Sequence, residues 1–292
     1  MTVLEEFSEI TRRDEPLAGY TWLKVGGPAQ MLITPRGVDE LQRVVTRCHE
    51  QNITVRLLGE GSNILVRDEG VPGVVIRLSD PAFATVKIEG NIVQAGAGAL
   101  LSHVITQSAE AGLAGLETLV GIPGTIGGAI KGNSGSRNGD IGEHVRLVRV
   151  MTRKGEIFDR KEDELAFAYR TSGLHELAIL SAEFELKPDN PDEIAQRMKK
   201  TWVMKKASQP MSFQSAGCIF KNPRGQSAGA LIEKAGLKGT RVGKCEISDR
   251  HANFIVTEPG ASSADLLTLI DLVKTKVAER DGVDLELEVC IW

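Results

Sequence analysis

The most informative stretch of this chain is Gly115-Leu116-Glu117-Thr118-Leu119-Val120-Gly121-Ile122-Pro123-Gly124-Thr125-Ile126-Gly127-Gly128-Ala129. Its five glycines and one proline interrupt an apolar pattern, a mixture that neither an ordinary helix nor an ordinary strand contains. Glycine allows a positive φ and lets a ligand lie directly on the main chain, and successive exposed amides form a concave surface that binds an anion. The stretch therefore predicts a loop whose backbone binds a ligand.

A second stretch of similar composition lies upstream, at Leu57-Leu58-Gly59-Glu60-Gly61-Ser62-Asn63-Ile64-Leu65-Val66. A tight Gly/Ser/Asn turn here separates two apolar, strand-like runs. Either stretch alone is better interpreted as an ordinary turn. Two such turns together can bind one diphosphate, so the pair favours a nucleotide cofactor.

Neither stretch matches the two common phosphate-binding motifs. A Walker loop ends in Gly-Lys-Ser/Thr, whereas Lys131 is followed by Gly132. The dinucleotide-binding fingerprint requires a third glycine after Gly59 and Gly61, and Ile64 occupies that place. A nucleotide would be bound here by a different motif.

With these two turns, the chain resembles the UDP-N-acetylenolpyruvoylglucosamine reductases, flavoenzymes that complete UDP-N-acetylmuramate for bacterial cell walls. Further motifs follow in the family's order along most of the chain, which makes coincidence a poor explanation. They are Thr21-Trp22-Leu23-Lys24-Val25-Gly26-Gly27-Pro28-Ala29, Tyr169-Arg170-Thr171-Ser172, Ser215-Ala216-Gly217-Cys218-Ile219-Phe220-Lys221-Asn222-Pro223, His251-Ala252-Asn253-Phe254-Ile255-Val256 and Leu285-Glu286-Leu287-Glu288-Val289.

The resemblance implies an FAD cofactor and a nucleotide-sugar substrate. In the implied reaction NADPH reduces FAD, and the reduced flavin then converts UDP-N-acetylglucosamine enolpyruvate to UDP-N-acetylmuramate, a peptidoglycan precursor. Because no histidine lies in either glycine turn, we expect the FAD to be bound non-covalently. The implied flavin contacts are Gly59, Glu60, Gly61, Ser62, Asn63, Gly121, Ile122, Pro123, Gly124, Thr125, Gly127 and Gly128.

The implied fold class is α+β, with an FAD-binding domain of the vanillyl-alcohol-oxidase type in two α+β halves and a C-terminal α/β substrate-binding domain. We expect the domain boundary at Lys187-Pro188-Asp189-Asn190-Pro191, since two prolines and an Asp-Asn pair do not continue a strand. The flavin domain is then residues 1–188, with halves at about 1–80 and 81–188, and the substrate domain is 189–292. Its last strand is expected to carry a catalytic glutamate.

Hydrophobic periodicity predicts the individual elements. Leu4, Phe7 and Ile10 are spaced nearly as on one face of a helix, which indicates an amphipathic segment at the start of the sequence. A hairpin is predicted around Gly90-Asn91. The alternation in residues 285–291 predicts one continuous strand. Helices are predicted at 38–50, 100–111, 192–207, 228–235 and 263–280.

Cys218 is the candidate proton donor. On composition alone a quiet buried cysteine is the better interpretation, and the surrounding motif reverses that preference. In the family this position is a serine or, in some members, a cysteine that gives a proton to the substrate carbanion. A thiol suits this step because its ordinary pKa of about 8.5 leaves it protonated near neutrality yet able to give the proton up.

Two further residues receive catalytic roles from the resemblance. Arg170 follows an apolar run, and its guanidinium fork suits a carboxylate; a surface arginine paired with an acid is the alternative. The family assigns it to the enolpyruvyl carboxylate and the enolate. Glu288 and Glu286 share one face of the predicted strand, which alone indicates a solvated edge. The family assigns the catalytic role to Glu288, leaving Glu286 structural.

Fewer sequence features support the assignment of substrate-binding residues. Lys221 and Asn222 follow Cys218 and are assigned to the uridine diphosphate substrate. Scattered basic residues of this kind are usually solvated surface. The short run between Arg170 and Leu177 leaves no room for the substrate-capping insertion of the longer subtype, so the chain resembles the shorter one. In residues 133–138, Asn-Ser-Gly-Ser-Arg-Asn replaces the family's usual Asn-Ala-Gly-Ala-Tyr-Gly.

Composition sets the remaining expectations. A net charge of −4 argues against general nucleic-acid or membrane-surface binding. Neither a run of about 20 apolar residues nor a basic, apolar leader is present, so we expect no membrane insertion and a cytoplasmic protein. The four cysteines are widely spaced, which indicates neither a metal site nor a disulfide framework. We expect a monomer or a weak oligomer.

Two other functions are compatible with the glycine turns. A flavin oxidase of the same fold would act on an alcohol and would have no reason for a proton-donor loop at Cys218. A flavin-bearing electron-transfer subunit would need the turns but not Arg170, Cys218 and Glu288 together. Reduction by NADPH and reoxidation by the enolpyruvyl substrate separate the three.

Overall fold

The computed structural model describes residues 5–136 and 138–292 of the chain. Leu4, from the predicted amphipathic start, and Arg137, from the departure in residues 133–138, lie outside the described residues. Phe7 and Ile10 are buried in a 3₁₀ helix, Glu5–Ile10. The α-helices of the described residues are α1 (Val38–Glu50), α2 (Leu101–Glu110), α3 (Ile126–Lys131), α4 (Pro191–Ser208), α5 (Ala228–Lys234) and α6 (Ser263–Asp281).

The strands are short and mostly antiparallel. They are β1 (Thr11–Pro16), β2 (Pro28–Ile33), β3 (Val55–Leu58), β4 (Ile64–Leu65), β5 (Val71–Arg77), β6 (Val86–Glu89), β7 (Ile92–Gly96), β8 (Leu113–Ala114), β9 (Gly135–Ser136), β10 (Gly139–Asp140), β11 (Val145–Met151), β12 (Ile157–Lys161), β13 (Ala178–Glu185), β14 (Lys187–Pro188), β15 (Gln214–Cys218), β16 (Arg241–Val242), β17 (Cys245–Ile247), β18 (Phe254–Thr257) and β19 (Cys290–Ile291).

The chain divides into two compact units. The first contains Met31–Glu60 and Pro72–Met204 together with the described residues before Asp14. It is built on two sheets, in strand orders β1-β2-β5-β3 and β12-β11-β13-β7-β6. α1 buries Leu41, Val44 and Val45 in the core of the first sheet. α2 and α3 pack in the core of the second sheet, so the second glycine stretch is held by a buried framework.

The second unit collects three separate segments, Asp14–Gln30, Gly61–Val71 and Lys205–Trp292. Its main sheet has the order β15-β18-β17-β16, and β19 pairs in parallel with β4. α6 begins where Ser262 accepts a hydrogen bond from the Asp265 amide and ends at left-handed Gly282, as capping rules expect. Its apolar residues at helical spacing, Leu266, Leu269, Ile270, Val273 and Val277, are buried in the core of this unit.

The helix and hairpin predictions are confirmed to within one or two residues at their ends. α1 spans the predicted 38–50, and β6 and β7 pair antiparallel around left-handed Gly90. α4 begins at Pro191, the last residue of the expected boundary stretch, and continues to Ser208. The mixture of helices and sheets is that of the expected α+β class.

The prediction of one continuous strand over residues 285–291 is wrong. β19 covers Cys290–Ile291, preceded by an isolated bridge between Leu287 and Phe220. The amides of Glu288 and Val289 donate to the same carbonyl, that of Ile219, at 2.8 and 3.3 Å. Two successive amides on one acceptor break the ladder, because a regular strand alternates its bonding direction. Glu288 therefore precedes β19 instead of lying within it.

Candidate functional site

The first glycine turn begins at the end of β3, which pairs in parallel with β5. Glu60 forms an ion pair with Arg77, with Arg77 Nη2 and Glu60 Oε1 3.1 Å apart. A Cβ on Gly59 would lie 2.8 Å from Thr125 Oγ1. The structure therefore brings the first turn against the second at Gly59 and Thr125, as the idea of a shared ligand requires.

Gly61 is a glycine for reasons of internal packing. Its φ is +64°, and a Cβ here would lie 2.2 Å from the Tyr20 carbonyl oxygen. The Gly61 carbonyl accepts a hydrogen bond from the Trp22 amide at 3.0 Å. Sequence reasoning explained the glycines of this turn by the close approach of a ligand. At Gly61 that explanation is incomplete, because the protein's own backbone already excludes a side chain.

The second turn leads into α3. Gly121 and Gly124 have φ values of +79° and +129°, in the region that favours glycine. Thr125 caps the helix, accepting the Gly128 amide on its hydroxyl at 3.3 Å. The nearest heavy atom to a Cβ on Gly128 is Thr125 Oγ1 at 3.6 Å, an ordinary contact. The exposed backbone at Gly128 is thus open to a ligand, which fits an FAD bound on this turn.

The other predicted residues of this turn have different surroundings. Ile122 donates its amide to the Leu119 carbonyl at 3.0 Å, and Pro123 is exposed. The Gly127 amide donates to the Ala97 carbonyl at 2.9 Å. A Cβ on Gly127 would lie 3.0 Å from that of Ala97, so packing against the sheet also favours glycine there.

Arg170 is at the tip of a tight turn in which Ala168 and Thr171 exchange backbone hydrogen bonds of 2.9 and 3.0 Å. Its φ is +57°, a conformation that costs about 1–3 kcal/mol for residues other than glycine and is found mainly at functional sites. Its Nε is buried and makes no hydrogen bond to a described residue, although the residue has another interaction. The side chain of Arg170 is thus held in place by a strained backbone conformation.

The Arg170 turn is fastened to the end of α3. Ser172 donates its hydroxyl to the Lys131 carbonyl at 3.0 Å, and Lys131 Nζ donates to the Leu174 carbonyl. Asn133 donates its side-chain amide to the Ala168 carbonyl at 2.9 Å. The first unit therefore joins the second glycine turn, α3 and the Arg170 turn in one hydrogen-bonded assembly.

Cys218 is the last residue of β15 and follows a β-bulge. Ser215 pairs with Val256 and Cys218 with Phe254, so two residues on β15 oppose one on β18. Gly217 within the bulge has a φ of +73°, and no heavy atom lies within 4 Å of the position of a Cβ. Bulges of this kind redirect a side chain and are frequent next to active sites.

Glu288 lies beside the Cys218 loop. Its amide donates to the carbonyl of Ile219, the residue after Cys218, at 2.8 Å. Its carbonyl accepts the side-chain amide of Asn63 at 3.0 Å. The second unit therefore brings together Asn63 of the first glycine turn, the Cys218 loop and Glu288, three of the regions that the sequence singled out.

Lys221 and Asn222 make contacts that stabilise the loop itself. Lys221 Nζ pairs with Glu286 Oε1 at 2.5 Å. The Asn222 side-chain oxygen accepts the Ala228 amide at the start of α5 at 3.0 Å.

Asn253 is a residue of this region whose importance the sequence analysis missed. It is buried, and its side-chain amide bonds both the amide and the carbonyl of Phe220, at 3.0 and 2.8 Å. An asparagine inside the apolar run 252–256 was the available signal. His251 nearby stacks edge-on against Phe254, and burial lowers its pKa.

The remaining cysteines differ in exposure. Burial raises the pKa of Cys48 to about 11 and that of Cys245 to about 12, so both thiols stay protonated. Cys290 is exposed.

Within residues 5–136 and 138–292, no group of three or more His, Cys, Asp or Glu side chains could hold a metal ion. Over the same residues, no helix is both long and apolar enough to span a membrane.

Known families match both parts of the chain. The profile for an FAD binding domain matches residues 29–160, and the profile for the C-terminal domain of UDP-N-acetylenolpyruvoylglucosamine reductase matches residues 209–292. Among curated proteins, UDP-N-acetylenolpyruvoylglucosamine reductase 2 of Symbiobacterium thermophilum is 40% identical over 283 residues, covering 96% of this chain and 92% of the relative. The reductase of Moorella thermoacetica is 39% identical over 280 residues, covering 96% of this chain and 92% of the relative.

Solved structures agree. The crystal structure of UDP-N-acetylenolpyruvylglucosamine reductase from Thermus caldophilus matches with a TM-score of 0.83 and 42% identity, covering 97% of this chain and 98% of that one. The glucose dehydrogenase Phl p 4.0202 matches in fold, with a TM-score of 0.51 and 16% identity over 65% of this chain and 44% of its own. The expected fold class, α+β with a flavin domain of the vanillyl-alcohol-oxidase type, is confirmed. From this identity and coverage, the chain belongs to the UDP-N-acetylenolpyruvoylglucosamine reductase family of FAD-dependent oxidoreductases.

Proposed function

We propose that this chain reduces UDP-N-acetylglucosamine enolpyruvate to UDP-N-acetylmuramate through Arg170, Cys218 and Glu288. The protein is an FAD-dependent oxidoreductase of peptidoglycan precursor synthesis, with NADPH as reductant and a small nucleotide sugar as substrate. When bound, FAD carries the two electrons of NADPH to the carbon–carbon double bond of the enolpyruvyl group. The protein's own residues bind, orient and protonate the substrate.

FAD is assigned to the two glycine turns, without a covalent bond. The left-handed Gly121 and Gly124 and the exposed Gly128 support this assignment, because residues without a side chain let a diphosphate approach the main chain. Neither turn contains a histidine. The proposed contacts are Gly59, Glu60, Gly61, Ser62, Asn63, Gly121, Ile122, Pro123, Gly124, Thr125, Gly127 and Gly128.

Arg170 is assigned to the carboxylate of the enolpyruvyl group. A guanidinium can hold a carboxylate through two parallel hydrogen bonds and stabilises the negative charge that develops on it during reduction. The strained backbone at Arg170 supports this role, since strain of this size persists where the side chain must be held in one direction.

Cys218 is assigned to the proton transfer. Its S–H bond breaks as a C–H bond forms at the substrate carbon next to the carboxylate, and solvent then returns a proton to the thiolate. The observation that carries this assignment is the bulge at Ala216 and Gly217, which redirects the end of β15 beside open space.

Glu288 is assigned to polarise or protonate the enol, and Lys221 and Asn222 to the substrate's diphosphate side. The bond between the Glu288 amide and Ile219 supports the first role, because it holds the glutamate beside the Cys218 loop. For Lys221, substrate would have to compete with the existing ion pair to Glu286.

Three wider assignments complete the proposal. Residues 1–188, with halves at about 1–80 and 81–188, form the flavin domain, and 189–292 form the substrate domain. The protein acts in the cytoplasm, where nucleotide-sugar precursors are soluble. It acts as a monomer or weak oligomer, without nucleic acid or membrane insertion.

Replacing Cys218 tests the proposal. Cys218→Ala removes the proton donor, and a lost general acid typically slows its step by about a hundred- to ten-thousand-fold. The loss should fall on oxidation of the reduced flavin by the enolpyruvyl substrate, while reduction by NADPH is unchanged. Stopped-flow absorbance of the two half-reactions measures each rate separately.

Two further variants complete this experiment. Cys218→Ser should keep activity at a reduced rate, since a hydroxyl can give a proton from the same place. Cys48→Ala removes a thiol from α1, outside both glycine turns and the Cys218 loop, and should leave both half-reactions at wild-type rates. Reoxidation of Cys218→Ala at the wild-type rate would show that the proton comes from another group.

A further inference from the structure

Glu117 is a buried carboxylate just ahead of the second glycine turn. Its side chain is 9% exposed and lies in the 3₁₀ helix Leu116–Leu119. One oxygen accepts the Gly115 amide at 2.5 Å. The other accepts Arg197 Nε at 3.1 Å. A buried carboxylate requires such partners, since an unpaired charge away from water is strongly unfavourable.

Arg197 connects this carboxylate to a distant part of the first unit. It lies on α4, 80 residues further along the chain. Its Nη2 also pairs with Asp189 Oδ2 at 2.6 Å, just before α4 begins. The guanidinium thus holds the 3₁₀ helix against the start of α4 through two carboxylates.

Backbone hydrogen bonds fix the conformation of the chain between Glu117 and the second glycine turn. The Val120 amide donates to the Glu117 carbonyl at 3.3 Å, and the Ile122 amide donates to the Leu119 carbonyl at 3.0 Å. Before it, Gly115 has a φ of +141°, and a Cβ there would lie 2.9 Å from the His144 ring. The Glu117 carboxylate therefore acts together with the buried Leu116 and Leu119 in fixing the direction of the 3₁₀ helix.

We propose that Arg197 and Glu117 are positioning residues for FAD binding. They hold the 3₁₀ helix so that the backbone from Gly121 to Gly124 keeps the conformation that receives the cofactor. This inference rests on the proposed function, in which that turn binds FAD. Neither side chain is proposed to touch the flavin or the substrate.

The test is the FAD dissociation constant of the apoprotein, measured by flavin fluorescence. Arg197→Gln should raise it about ten-fold, because a turn that is no longer held must be ordered when FAD binds. Arg197→Lys, which keeps the charge, should recover most of the affinity. Glu117→Gln keeps an acceptor for the Gly115 amide and should weaken binding less than Arg197→Gln. If Arg197→Gln does not fold, the FAD dissociation constants of Glu117→Gln and Arg197→Lys test the inference instead.

The chain offers a matched control in Arg160, which pairs with Glu176 at 2.6 Å in the same unit. The exposures of the two pairs are similar, 35% and 9% here against 42% and 9% for Arg197 and Glu117. Arg160→Gln should lower the unfolding midpoint as Arg197→Gln does but leave the FAD dissociation constant unchanged. Asp189→Asn, which keeps the pair with Glu117 but weakens the second contact of Arg197, should raise the FAD dissociation constant less than Arg197→Gln does.

Equal FAD affinity in Arg197→Gln and Arg160→Gln would overturn the inference and make Arg197 an ordinary stabilising residue. Gly128→Ala separates that result from a failure of the proposed function. If Gly128→Ala weakens FAD binding while Arg197→Gln does not, the inference alone fails. If neither variant changes FAD binding, the assignment of the turn to the flavin fails too.

Discussion

A Cβ on Gly61 in the first glycine turn would lie 2.2 Å from the Tyr20 carbonyl oxygen, whereas one on Gly128 in the second would meet its nearest neighbour, Thr125 Oγ1, at 3.6 Å. The first glycine is required by the protein's own packing. The second has space that the protein leaves open. Gly61 thus serves the fold, whereas Gly128 is proposed to serve the ligand, and substitutions at the two positions should separate stability from FAD affinity.

The largest effect is expected for Gly61→Ala. The new side chain would be forced into a left-handed backbone and against a carbonyl, which should lower the free energy of unfolding by about 3 kcal/mol. Urea denaturation of the FAD-free protein measures this change. An apoprotein as stable as the wild type would mean that the ligand, and not Tyr20, explains this glycine.

Gly128→Ala should weaken FAD binding without lowering the stability of the apoprotein. We expect the FAD dissociation constant to rise about ten-fold, or 1.4 kcal/mol, because the methyl group occupies space that the cofactor needs. The apoprotein should become more stable by up to about 1 kcal/mol, since alanine favours a helix over glycine. Gly132→Ala, after the end of the same helix, is the control and should leave FAD affinity unchanged. Unchanged affinity in Gly128→Ala would remove the contrast with Gly61.

The smallest effect concerns Thr125, where the two turns meet. Thr125→Ala removes the cap of α3 and should cost about 1 kcal/mol of stability. Thr125→Ser restores the hydroxyl and should recover most of it. Thermal unfolding of the apoprotein compares the three proteins. A serine variant as unstable as the alanine variant would assign the effect to the lost methyl group instead of the cap.

Sequence periodicity was sufficient to predict a helix or hairpin whose conformation depends mainly on its own residues. α1 and α6 each bury one apolar stripe, and the hairpin around Gly90 depends on a local turn, so all three could be predicted. The interval from Leu285 to Val289 could not, since its course depends on the Ile219 carbonyl that two of its amides share.

The same limit applies to the candidate site. The motifs could propose the two turns, Arg170, Cys218 and Glu288 as site residues, because each belongs to a contiguous stretch. They did not reveal that Tyr20 excludes a side chain at Gly61, or that Arg197 holds Glu117, since those partners are far apart in the chain. Asn253, which bonds both backbone groups of Phe220, also becomes meaningful only once the two segments are adjacent.

The hydrogen bond between Asn63 and Glu288 has a consequence for biosynthesis. It joins residues 225 positions apart, and a bond from Thr257 to Leu23 in the same unit spans 234. Contacts this distant in sequence form slowly, because a long loop must close before they contribute. While the chain is being made, residues 14–30 and 61–71 must wait for the segment from Lys205 onward before their unit can fold. The first unit is complete at residue 204 and can assemble earlier, so the Arg170 turn does not depend on the Cys218 loop for its folding.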